Sequence, residues 1–175
     1  MEAGLAVAAG RQQLVDAVLA RLFSLARKRA EPLGLAYSAL WDSIEAATTG
    51  GKRFRPRMVF ASYEALGGRD LEAAACVGAA FELLHTSLCV HDDVIDRDFV
   101  RRGLPNVSGV FRNRALAAGQ SDADAEHHGI SAAVIAGDLA LFNAYRLIDR
   151  SGVTGRIRAR LLEVMDDALF ASAAG

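Results

Sequence analysis

Two carboxylates four residues apart, followed by two adjacent arginines, are the residues best placed to do chemistry. They lie in the stretch His91-Asp92-Asp93-Val94-Ile95-Asp96 and in Arg101-Arg102. On a helix, Asp92 and Asp96 share one face, roughly 5–6 Å apart. Like charges at that spacing repel, which destabilises a bare helix by a few tenths of a kcal/mol. A cation offsets that repulsion. Mg²⁺ suits the pattern, because it takes one or two carboxylates and fills its shell with water and substrate phosphates. Arginine pairs suit phosphate oxygens, which they bind bidentately. Acids for a metal beside arginines for phosphate read as a site for a Mg²⁺–diphosphate.

These residues need a frame, and the sequence predicts a helical one. The apolar run Phe81, Leu83, Leu84, Leu88, Val90 leads into the acids as one long helix, with Asp70 as its N-cap. Helical periodicity also predicts helices over 11–30, 35–47, Pro56 to Ala65, 130–148 and 156–174. Gly137-Asp138 interrupts the fourth of these. Pro56 fits a first helical turn, where its missing N–H is not needed. Gly50-Gly51 followed by Lys52-Arg53-Phe54-Arg55 at that helix start reads, from this stretch alone, as a solvated basic helix entry or as an anion cradle, since unpaired N–H groups add positive potential. Residues 101–105 are read as a loop. Residues 119–129, with His127-His128, are read as an exposed, solvated loop rather than a metal cluster. No period-two strand pattern and no internal repeat is found. The expected class is all-α, a bundle of six or seven helices that builds its site from inward side chains.

Composition narrows the classes. The chain has 175 residues, 52% hydrophobic, with a net charge of −1. That balance gives no basic surplus for nucleic acid, and the local arginine clusters suit a discrete anion. Cys76 and Cys89 are expected as buried thiols in a cytoplasmic protein. Residues 1–10 lack a basic start, so no signal peptide is expected, and they are expected to be disordered in part. No run of about 18 apolar residues escapes charges, so no transmembrane segment is expected.

Taken in order, several segments resemble the trans-isoprenyl diphosphate synthases, or polyprenyl synthetases, of the geranylgeranyl and farnesyl diphosphate synthase kind. Gly51-Lys52-Arg53-Phe54-Arg55-Pro56 resembles the family's GGKRxRP segment. His85 stands seven residues before Asp92, and Asp92-Asp93-Val94-Ile95-Asp96 fits the first aspartate-rich motif, DDxxD. Arg101-Arg102-Gly103 follows at the family's spacing, and Gly137-Asp138-Leu139 resembles its GD-L segment. The resemblance implies an isoprenoid synthase-like helical bundle and Mg²⁺-dependent head-to-tail condensation of isopentenyl diphosphate with an allylic diphosphate. It implies that Lys52, Arg55, His85 and Arg102 hold isopentenyl diphosphate. It implies that Asp92 and Asp96 bind Mg²⁺ at the allylic diphosphate, with Asp93 in support, and that Arg101 contacts that diphosphate. It also implies that Ser87 and Leu88, five and four residues before Asp92, set product length. Neither is aromatic, which favours geranylgeranyl length. A homodimer, or a complex with a complementing chain, is expected.

One family feature is not found. The second aspartate-rich motif has no counterpart, since Asp166-Asp167 is followed four residues on by Phe170 and Ala171. Residues 1–175 therefore resemble the N-terminal part of one isoprenoid-synthase domain, apparently truncated before that motif, and activity of these residues alone is doubtful. A non-catalytic small subunit of a polyprenyl synthase is the alternative, disfavoured by intact acids and basic residues. A terpene cyclase, which holds no second diphosphate, would not need Lys52, Arg55 and His85 together.

Overall fold

The computed structural model describes residues 2–174, with side chains described for 8–174. Among these residues it is all-α apart from one small hairpin. The α-helices are α1 (Glu2–Ala30), α2 (Leu35–Thr48), α3 (Phe54–Ala65), α4 (Leu71–Ile95), α5 (Val107–Ala117), α6 (Asp122–Asp149) and α7 (Gly155–Ala173). Strands β1 (Val100–Arg101) and β2 (Leu104–Pro105) pair antiparallel between α4 and α5. The chain forms two compact units.

The first unit comprises Met1–Ala20, Gly51–Glu82 and Phe142–Gly175. Its core includes Val15, Leu19, Phe60, Ile148 and Met165, with a run of alanines at 73–75, 79 and 80. Fully burying a large apolar side chain stabilises the fold by about 1.5–3 kcal/mol. Small residues let helices approach closely. A Cβ on Gly78 of α4 would lie 3.1 Å from Pro56, so α3 begins directly against α4. Asp70 caps α4, its carboxylate accepting from the Ala73 N–H at 3.0 Å. α3 ends in a Schellman turn with Gly67 left-handed at φ 83°. α7 buries Met165 and leaves Ile157, Val164 and Phe170 exposed.

The second unit comprises Arg21–Gly50 and Leu83–Leu141. Phe23, Leu40, Trp41, Ile44, Leu83, Val90 and Phe111 are buried here, with alanines 125, 132, 133, 136 and 140 from α6. Arg27 and Glu45 form an ion pair between α1 and α2. Asn106 caps α5 by accepting from the Gly109 N–H at 2.9 Å, and its amide donates to the Asp98 carbonyl at 2.8 Å. A Cβ on Gly109 would lie 2.0 Å from the Phe99 carbonyl oxygen, and one on Gly129 of α6 would lie 2.4 Å from the Ser108 carbonyl oxygen. Backbone therefore meets backbone at both places.

Several expectations change. Residues 101–105 are a hairpin, with Val100 opposite Pro105 and Arg101 opposite Leu104. Arg102 and Gly103 form its tip with φ 55° and 79°, the pair of positive values that a tight type I′ connection requires. A two-residue strand is too short to leave an alternating pattern in sequence. Residues 119–129 are not a loop: α6 starts at Asp122 and runs unbroken through Gly137-Asp138. Ser121 supplies the start, its Oγ accepting from the Asp124 N–H at 3.2 Å and donating to the Asp124 carboxylate. His127 and His128 ride on this helix, and the His128 ring lies 6.0 Å from that of Phe111. α5 was not anticipated. α1 is helical from Glu2, which leaves of the stretch expected to be partly disordered only Met1 outside the described residues. Cys76 and Cys89 are half-buried rather than buried. α4 and α6 are long and apolar enough, by composition alone, to cross a membrane. Most of that α4 window is buried inside the fold, as in a core helix.

Gly109 yields a stability test. Gly109→Ala must displace the Phe99 carbonyl from the base of the hairpin. Urea unfolding should show a loss of about 1–3 kcal/mol, the usual range for overpacking, whereas Gly155→Ala, with open space around its Cβ position, should change stability little.

Candidate functional site

The acids sit where α4 ends, and the ending is specified by backbone bonds. The Asp98 N–H bonds the Asp93 carbonyl at 2.8 Å and the Arg97 N–H bonds the Val94 carbonyl at 3.2 Å. This is a Schellman turn with Arg97, at φ 57°, in the position glycine usually holds. Asp92 thus lies in the last turn of the helix and Asp96 at its C-cap. Carboxylates there oppose the helix dipole, at a cost of about 0.3–1 kcal/mol each. A cation nearby reverses the sign.

The hairpin supplies one. Arg101 donates from Nε to the Asp93 carboxylate at 2.8 Å, and its Nη2 lies 2.8 Å from Asp93 and 3.4 Å from Asp92. The Asp93 bond is the main cause that raises the Arg101 guanidinium above its ordinary range. Asp93 is only 7% exposed at its side chain, whereas Asp92 is 63% exposed. Asp96 and Arg102 are also exposed. The three acids therefore divide: Asp93 is held by Arg101, and Asp92 and Asp96 face water. Two exposed carboxylates one turn apart fit Mg²⁺, which needs few protein ligands and takes the rest from water and phosphate. Among the described residues no cluster of three His, Cys, Asp or Glu side chains forms a cage.

α6 braces the same end of α4. His91 Nε2 lies 3.4 Å from the Asp138 carboxylate, and a Cβ on Gly137 would lie 2.2 Å from that nitrogen. The Gly137-Asp138 pair noticed in sequence thus meets the residue preceding Asp92, a role that sequence did not assign to His91. His85 is half-buried on α4, its ring 3.4 Å from the Cys89 sulfur. Ser87 is 1% exposed, and its Oγ is buried without a hydrogen-bond partner. Leu88 is half-buried.

Lys52 and Arg55 belong to the first unit and lie exposed at the start of α3, after Gly50 and Gly51 at φ 90° and 78°. Between them Arg53 is buried and pairs with Asp16 and Glu82. Sequence reading did not single out Arg53, because no local pattern tells which of several neighbouring cations turns inward.

Two sets of variants test this division. Arg101→Ala should strand the buried Asp93 carboxylate and cost about 2 kcal/mol in urea unfolding, whereas Asp92→Ala and Asp96→Ala should be neutral or slightly stabilising by relieving the helix C-terminus. Ser87→Ala removes an unpaired buried hydroxyl and should raise stability by about 1 kcal/mol, and Ser87→Phe should lower it through overpacking.

Comparison with known proteins identifies the family. The Polyprenyl synthetase family matches residues 38–175. The short chain isoprenyl diphosphate synthase of Methanothermobacter thermautotrophicus is 34% identical over 70% of this chain and 32% of its own length. The farnesyl diphosphate synthase of Geobacillus stearothermophilus is 32% identical over 87% of this chain and 45% of its own. The crystal structure of geranylgeranyl pyrophosphate synthase from Corynebacterium glutamicum, complexed with isoprenyl diphosphate and magnesium, superposes with a TM-score of 0.69. It is 26% identical, over 85% of this chain and 44% of that one. The chain thus spans a third to a half of the length of these proteins. Its helical fold is theirs, and its match extends over the basic segment, the paired acids and the braced end of α4. The chain belongs to the polyprenyl synthetase family.

Proposed function

We propose that this chain supplies the first half of a trans-prenyltransferase site, which condenses isopentenyl diphosphate with an allylic diphosphate. The observation that carries this reading is the exposed pair Asp92 and Asp96 at the end of α4, with Arg101 brought beside it by the hairpin. The family's curated members include geranylgeranyl and farnesyl diphosphate synthases, which supports chain elongation as the reaction class. The family match over residues 38–175 includes residues of both compact units and supports reading the two as parts of one isoprenoid-synthase domain, taken as 1–175.

In this reading Asp92 and Asp96 hold Mg²⁺, which when bound neutralises charge on the allylic diphosphate. Arg101 leaves Asp93 in part to donate to that diphosphate as its C–O bond ionises, so positive charge is already in place where negative charge develops. Lys52, Arg55, His85 and Arg102 hold the diphosphate of isopentenyl diphosphate. Its double bond attacks the allylic cation, and a proton is lost to the released diphosphate. Apolar residues of α4 exclude water from the cation. Ser87 and Leu88 face the growing chain and permit geranylgeranyl length, since neither is aromatic. The working assembly is a homodimer or a complex with a complementing chain.

Calorimetric titration of inorganic pyrophosphate with and without Mg²⁺ tests the assignment. Asp92→Ala and Asp96→Ala should each weaken the Mg²⁺-dependent binding about tenfold or more, the loss expected when one of few charged ligands goes, and leave metal-free binding unchanged. Equal affinity with and without these carboxylates would refute the metal role.

A further inference from the structure

Arg53 stands in the middle of the basic segment and does the opposite of its neighbours. Lys52 and Arg55 are exposed, whereas the Arg53 side chain is only 7% exposed. Its Nη2 lies 3.0 Å and its Nε 3.2 Å from the Asp16 carboxylate of α1, and its Nη1 lies 3.6 Å from the Glu82 carboxylate of α4. Its backbone is left-handed, at φ 47° and ψ 42°, at the N-cap of α3. Bulky side chains rarely adopt that conformation, and glycine would hold it without strain. No side chain of Arg53 caps the helix, so capping does not explain its presence. Pro56, three residues on, is buried against Gly78, one helical turn before Glu82 on the same face of α4. The segment is therefore pinned twice to α4 and once to α1.

We infer that Arg53 is a positioning residue: by turning inward onto Asp16 and Glu82 it fixes the left-handed turn that holds Lys52 and Arg55 outward as one anion-binding pair. A guanidinium is suited to this because its planar fork reaches carboxylates on two helices at once, which an ammonium cannot do with the same geometry. Burial of the pair with Glu82, itself 8% exposed, keeps water from competing. The inference rests on the proposed diphosphate role of Lys52 and Arg55, and the test separates the two.

The experiment is a titration of the ¹⁵N-labelled chain with inorganic pyrophosphate in the absence of Mg²⁺. The Gly51 amide and the Arg55 Nε–H are read by NMR, and helix content and urea midpoint are measured in parallel. Arg53→Gly keeps the left-handed backbone free of strain and removes the tether. It should weaken pyrophosphate binding at these two reporters about tenfold, because misplacement of a binding group by an ångström is costly, in a chain with unchanged helix content. Arg53→Lys should recover only part of that loss, and Asp16→Asn and Glu82→Gln, which leave Arg53 in place, should each show a smaller one. Lys52→Ala and Arg55→Ala are the controls. Binding weakened by the controls but unchanged in Arg53→Gly and Arg53→Lys would overturn the positioning role alone. Binding unchanged in the controls would overturn the anion assignment and the positioning role with it. Should Arg53→Gly fail to fold, Arg53→Lys decides, and wild-type affinity in that variant overturns the inference.

Discussion

A charge removed from water must be paired, and that constraint sorts the polar side chains of this chain. Each of its two charged motifs gives one member to the interior. In the basic segment it is Arg53, buried against Asp16 and Glu82. In the acidic segment it is Asp93, buried against Arg101. Breaking such a pair leaves an uncompensated charge at a cost of several kcal/mol when burial is complete. The remaining members, Lys52 and Arg55 on one side and Asp92 and Asp96 on the other, are exposed. In the basic segment the inward residue fixes the turn from which the outward ones project, and in the acidic segment it anchors Arg101 beside them.

The backbone shows the same economy. Three non-glycine residues among those described have positive φ, and all three are arginines: Arg53, Arg97 and Arg102. They occupy a helix start, a helix end and a hairpin tip, positions where glycine is the unstrained choice. The proposed site gives Arg53 and Arg102 a use for their side chains that glycine could not meet. Nothing in the structure assigns one to Arg97, whose side chain is exposed.

Much of the fold was legible in sequence because long helices repeat their apolar pattern over several turns. α2, α3, α4 and α7 fall within a residue or two of expectation, and the Asp70 cap lies where its side chain predicts. The failures share a cause. The N-terminal turns of α6 carry acids and histidines, and their helicity rests on the Ser121 cap and on close packing at Gly129, a long-range contact. The hairpin is too short for periodicity, and α5 is short with scattered arginines. At the site, spacing alone put Asp92 and Asp96 on one helical face and Arg101 nearby. It could not show that Asp93 turns inward, that Arg53 does so among its neighbours, or that His91 meets Asp138.

The contact of Gly137 with His91 has a consequence for how related sequences can vary. A side chain at 137 would occupy the space the imidazole now fills, so the two positions form a single steric unit spread over two helices. A lineage that places alanine or serine at 137 must shrink residue 91 or turn its imidazole aside, away from its place beside Asp138. A glycine that carries no chemistry of its own thus governs where the imidazole next to Asp92 can sit.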